Sequence, residues 1–140
     1  MRILYFLCIL CLLTSCHKMD VGYLETDAAK YDPNELTVKK EPDPSEDWAQ
    51  TDYGSNWVSA PLSGIDGTCP IRIEIFSVTS PDGGEVPAFL QQTDVRGDGT
   101  FDIPLNNTIP LGRYVVTLRV SNKDHEQILK DIFTVVVCQK

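Results

Sequence analysis

Histidine, methionine and tryptophan are scarce, with two of each in 140 residues. His17 stands beside Cys16 and His125 lies in the polar run Asn122–Glu126, so neither is placed for a buried Ser/His or Cys/His constellation. Nor do two distant histidines and the cysteines Cys69 and Cys138 give zinc-ligand spacing. Basic residues are also few, 12 against 20 acids for a net charge of −8, which excludes the clustered cations of a nucleic-acid binder. No apolar run exceeds eleven residues, too short to cross a bilayer of about 30 Å as a helix. No long amphipathic helical period occurs, and 140 residues leave no room for two enzyme-sized domains. No cofactor motif is present.

That eleven-residue run, Ile3–Leu13, follows Arg2 and ends in Leu13-Thr14-Ser15-Cys16. A short positive start, an apolar core of this length and small residues at its end describe a signal peptide. The Leu-Thr-Ser-Cys ending resembles the lipobox of bacterial lipoproteins, which implies cleavage after residue 15 and acylation of Cys16. Two or more acyl chains, at about 0.8 kcal/mol per buried CH2, anchor a chain stably in a membrane. His17 in place of an inner-membrane retention Asp points to the outer membrane, with the periplasmic and surface faces both open. Removal of Met1–Ser15 leaves 125 residues and takes Arg2, Cys8 and Cys11 with it.

From residue 16 to 60 the chain is acidic and lacks a sustained apolar period, which predicts a polar, lipid-anchored lead-in or tether. Leu36–Lys39 reads as a short strand within it, and Pro42 and Pro44 break what precedes. From residue 61 to 140 the pattern is one of short strands punctuated by turns. Ile71, Ile73 and Ile75 alternate with Arg72 and Glu74, and the parity changes at Phe76 and Val78, which predicts a bulge near Ile75. Pro81–Gly84 is a turn, Val86–Thr93 is expected as an edge strand because Pro87 lacks an amide donor, and Asp98-Gly99 is a hairpin turn leading to Phe101, Ile103 and Leu105. Tyr114, Val116, Leu118 and Val120 form an inward row, and Ile132–Val137, apolar on both parities, reads as a central strand. The whole is an all-β, antiparallel sandwich.

The stretch Pro110-Leu111-Gly112-Arg113-Tyr114, followed by the strand to Asn122 and a last strand at Phe133–Val137, resembles the final hairpin of Ig-like, PKD-like and cadherin-like domains. The resemblance implies that the Tyr114 hydroxyl bonds back to the backbone of its own corner. Together with the lipobox, Gly22-Tyr23-Leu24-Glu25-Thr26, Trp57-Val58-Ser59 and Gly64-Ile65-Asp66-Gly67-Thr68, the chain resembles small Bacteroidetes lipoproteins encoded beside starch-utilisation-type systems that import glycans. The resemblance implies an accessory or binding role, with the membrane and a glycan or glycan-transport complex as partners.

Asp94, Asp98 and Gly99 fall at positions one, five and six of a calcium loop, but Arg96 at position three and Leu105 at position twelve speak for a plain hairpin turn. Arg96-Gly97-Asp98 spells the integrin tripeptide, a match too short to carry weight. Asp98 and Asp102 lie near one turn with no implied cleft to raise a carboxyl pKa, so no enzyme is expected. Cys69 precedes one strand and Cys138 ends another; antiparallel neighbours would bring them together as a disulfide, whereas parallel strands would keep them apart. Aromatic residues mark the acidic lead-in, and Trp48, Tyr53 and Trp57, interleaved with Gln50, Asp52 and Asn56, form a candidate sugar-binding set. Packing of Trp57 beneath the sandwich is the competing account. The alternative function is a structural or protein-interaction module, such as a spacer or a pilus-type or adhesin subunit docking by strand addition.

Overall fold

The computed structural model describes residues 21–140; the signal segment, Cys16 and His17 lie outside the described residues. The fold is all-β. A four-stranded sheet has the order β2 (Glu35–Lys39), β9 (Glu126–Cys138), β8 (Gly112–Ser121), β5 (Arg72–Thr79). A three-stranded sheet has the order β3 (Trp57–Val58), β7 (Phe101–Ile103), β6 (Asp94–Val95), and β1 (Leu24–Glu25) pairs with β4 (Asp66–Gly67) in a small ribbon. Pairing is antiparallel except between β2 and β9, which run parallel.

The alternation in the sequence explains which face each strand buries. Tyr114, Val116, Leu118 and Val120 of β8 and Phe133, Val135 and Val137 of β9 join Trp57, Phe101 and Ile103 of the smaller sheet in one core. Phe101 and Phe133 stack with ring centroids 4.6 Å apart and planes 12° from parallel. β9 is flanked on both sides by partners, as its apolar run required. Along β5 the register slips between Ile75 and Ser77. This bulge leaves Phe76 exposed and lets both Ile75 and Val78 pack on the core. The turn before β7 closes with Gly99 donating to the Arg96 carbonyl and Arg96 donating to the Thr100 carbonyl, with Gly99 at φ +83°.

The tyrosine corner forms: the Tyr114 hydroxyl donates to the Pro110 carbonyl at 2.8 Å. Gly84 crosses directly over that phenol, where a Cβ would lie 2.7 Å from its oxygen.

One expectation is corrected. Val86–Gln92 is not an edge strand but a helix, α2 once α1 (Trp48–Tyr53) is counted. Proline lacks an amide donor, which suits the first turn of a helix as well as a sheet edge, and Ala88, Leu90, Gln91 and Gln92 favour a helix. Phe89, the one buried residue of α2, stacks on Tyr114 at 4.6 Å with planes 9° apart. The segment from residue 21 to 60, expected as a tether with one or two possible strands, supplies β1, β2 and β3 and buries Tyr31, Val38 and Trp57 in the core. Tyr31 donates to the Gly99 carbonyl at 2.6 Å and packs on Phe133 at 4.5 Å, and burial pushes its phenol pKa well up.

Cys69 and Cys138 are free thiols and do not pair. Arg72, just past Cys69, pairs with Ser121 at one end of β8, while Val137, just before Cys138, pairs with Gly112 at the other. β8 lies between β5 and β9, which are therefore mutually parallel, and its ten residues hold the two cysteines about 30 Å apart. Thiol labelling of the folded chain should modify exposed Cys69 readily, and migration should be the same with and without reductant; a reductant-dependent shift of the monomer would contradict this topology. Tyr114→Phe should lower unfolding free energy by about 1 kcal/mol in urea with little change of slope, because it removes one buried hydroxyl bond.

Candidate functional site

α1 is six residues long and buries none of them. Its ends are tied from outside. At the N-terminal end Lys39, the last residue of β2, binds the Asp47 carboxylate at 2.9 Å and that of Glu46 at 3.1 Å. Asp47 also accepts from the Asp43 amide at 2.8 Å, and its carbonyl caps the first turn by accepting from Gln50 and Thr51. The hydrogen bond from Lys39 holds the Asp47 carboxyl below the usual carboxylate range, and its partners push the Lys39 pKa up to about 12. At the C-terminal end Gly54 adopts φ +64° and donates to the Gln50 carbonyl, stopping the helix, and Gln50 donates from Nε2 to the Asn56 carbonyl.

This small, externally braced helix carries Trp48 at 59% and Tyr53 at 76% exposure, their rings edge to face with centroids 6.0 Å apart. Trp57 is separated from them. It is 6% exposed within the core, and its indole N–H has no partner among the described residues. The candidate set of three is thereby corrected to two, because β3 turns Trp57 inward opposite Ile103 while the helix keeps Trp48 and Tyr53 in solvent.

Two polar grooves lie close to α1 along the chain, one reaching Glu46 before it and the other Asn56 after it. One, of about 630 Å³, is lined by Lys39, Glu41, Asp43 and Glu46 together with Pro44 and Lys140. The other, of about 530 Å³, includes Asn56, Leu90, Gln91, Asp94 and Asp102. Val58, Asp102 and Asp94 sit side by side across β3, β7 and β6, forming the outer face of the three-stranded sheet. Asp102 accepts from Asn56 Nδ2 at 2.8 Å and pairs with Arg96. The sequence marked Asn56 but missed the contribution of Asp102 and of α2; the i, i+2 parity that puts Phe101 and Ile103 inward was the available signal for Asp102.

The hairpin turn expected at Asp98-Gly99 forms: Asp98 accepts from the Thr100 amide at 2.9 Å and Arg96 reaches Asp102. Among the described residues no group of three or more His, Cys, Asp or Glu converges. Hydrogen bonds from Thr100 and from Arg96 hold the Asp98 and Asp102 carboxyls below their ordinary range, the wrong direction for a general acid.

No protein-family model and no curated protein matches the chain. Among solved structures it is similar to a SusE-like surface-located polysaccharide-binding protein from the Bacteroides thetaiotaomicron heparin utilisation locus, with a TM-score of 0.51 and 13% identity. The likeness covers 84% of this chain and 15% of that one, so it relates this fold to a domain-sized part of a much longer protein.

Asp47 and Asp102 have depressed pKa values in the folded state, so their pairing stabilises fully above the unfolded carboxylate value of about 4 and is lost as pH falls through the lower folded values. The thermal midpoint should be nearly flat from about pH 8 to 5 and fall below about pH 4, and Asp47→Asn should shrink that fall. An unchanged midpoint at about pH 3 would show that these pairs contribute nothing.

Proposed function

We propose that this protein is a lipid-anchored accessory of a cell-envelope glycan-acquisition system and binds polysaccharide through Trp48 and Tyr53. The observation that carries the reading is the exposed aromatic pair on a helix that buries nothing. A folded chain gains no stability from displaying two large rings on such an element, and exposed aromatic faces suit the apolar faces of sugar rings. The fold likeness to a SusE-like polysaccharide-binding protein supports a binding rather than a catalytic role. Cys16 supplies the anchor by acylation, and the outer membrane is the destination.

A second reading has one observation in its favour. β5 is an outer strand of the four-stranded sheet with Phe76 exposed at its bulge, an edge open to strand addition by a protein partner. Neighbouring genes separate the two: a transporter and glycosidases go with the first, pilus or adhesin genes with the second.

The test is affinity electrophoresis of the chain from His17 through gels containing a panel of polysaccharides. Trp48→Ala and Tyr53→Ala should each weaken retention about tenfold, equivalent to about 1.4 kcal/mol, with denaturation curves unchanged. Trp57→Ala should lose about 3 to 5 kcal/mol of stability. Full retention by both surface variants, or no retention of the wild-type chain by any polysaccharide, would remove the glycan reading.

A further inference from the structure

The strand register puts the chain's entry into the fold and Lys39, which holds the start of the aromatic helix, at opposite ends of β9. Residues 22 and 23 are bonded to the β8–β9 turn: Asn122 Nδ2 donates to the Tyr23 carbonyl at 2.8 Å, and His125 Nε2 lies 3.0 Å from the Gly22 carbonyl. The Thr68 amide donates to the same Tyr23 carbonyl at 3.0 Å, and the Tyr23 amide donates to Thr68 Oγ1 at 3.1 Å. Gly22 has φ +94° and lies against the Thr68 side chain, where a Cβ would collide with it. The entry is therefore built into the turn end, marked by the pair Ser121 and Glu126.

The other end of β9 is Cys138, which pairs with Lys39, and Lys39 holds Asp47 at the start of α1. From Glu126 to Cys138 β9 runs thirteen residues, a span of about 40 Å. Between Cys16 and Val21 stand only four residues, a reach of at most about 18 Å.

We propose that the end carrying the β8–β9 turn is a membrane-facing surface, that the sandwich stands upright on the bilayer, and that the aromatic pair of α1 is presented away from it. This rests on acylation of Cys16 as proposed above and is independent of what α1 binds. The short link brings the turn end to the lipid headgroups, because the bonded entry fixes where the link leaves the domain. The turn end carries a groove of about 440 Å³ whose lining includes Arg72 and Lys123, next to Asp124 of the same turn. At the far end of β9, Lys39 holds Asp47, the residue before Trp48, so that the start of α1 lies away from the headgroups.

The experiment uses the full acylated chain reconstituted into vesicles with acceptor dye on the lipid headgroups. Donor dye is attached at native Cys69 in a Cys138→Ser variant, or at position 53 in a Cys69→Ser, Cys138→Ser, Tyr53→Cys variant. Energy transfer should be strong from position 69 and weak from position 53. A long Gly/Ser insertion after Met19 should sharply reduce transfer from position 69. Equal transfer from the two sites would mean that the domain lies on its side, and stronger transfer from position 53 that it is inverted; either overturns the proposal. Transfer from position 69 that survives the insertion would overturn the role of the short link. Failure of the chain to float with vesicles would remove the anchor itself, an outcome distinct from a wrong orientation and from loss of glycan retention.

Discussion

Phe133 of β9 and Phe101 of β7 meet face to face between the two sheets, and Tyr31 leans on both. This three-ring contact joins the four-stranded sheet, the three-stranded sheet and the N-terminal segment, three parts of the chain that local propensity alone would leave separate. Large aromatic rings bury much apolar area per residue, which matters in a domain of this size, where the surface-to-volume ratio leaves little core. The Tyr31 hydroxyl then fixes the turn at Gly99, and that turn sets the position of Arg96 and Asp102 on the outer face.

The same packing decides what is left for function. Once Trp57 is drawn into the core opposite Ile103, the chain between β2 and β3 must leave the sheet and return, and α1 is the excursion it makes. Lys39, Asp47 and Gln50 brace that excursion with ion pairs and amide hydrogen bonds rather than with apolar burial. Bracing by polar groups at its ends leaves both rings of α1 in solvent.

Much of the fold was legible in the chain. The inward row from Tyr114 to Val120, the bulge beside Ile75, the turns at Pro81–Gly84 and Asp98-Gly99, the central position of Ile132–Val137 and the corner hydrogen bond of Tyr114 are all local, written in period-two alternation or in turn chemistry. What misled was equally local. Pro87 fits a sheet edge and the first turn of a helix alike, and only the stack of Phe89 on Tyr114 selects the helix. Acidic composition from residue 16 to 60 resembled a tether because its core residues, Tyr31, Val38 and Trp57, are too widely spaced to show a period.

The sequence by itself determined the all-β character, the faces of its longest strands and the aromatic content of the segment around α1, since each follows from residue type and spacing of two. Tertiary structure alone decided that β2 runs parallel to β9, that Cys69 and Cys138 lie at opposite ends, and that Trp57 belongs to the core while Trp48 and Tyr53 do not. Those are contacts between residues distant in sequence, and they are chosen by how two sheets share one core, a condition that no single strand's pattern contains.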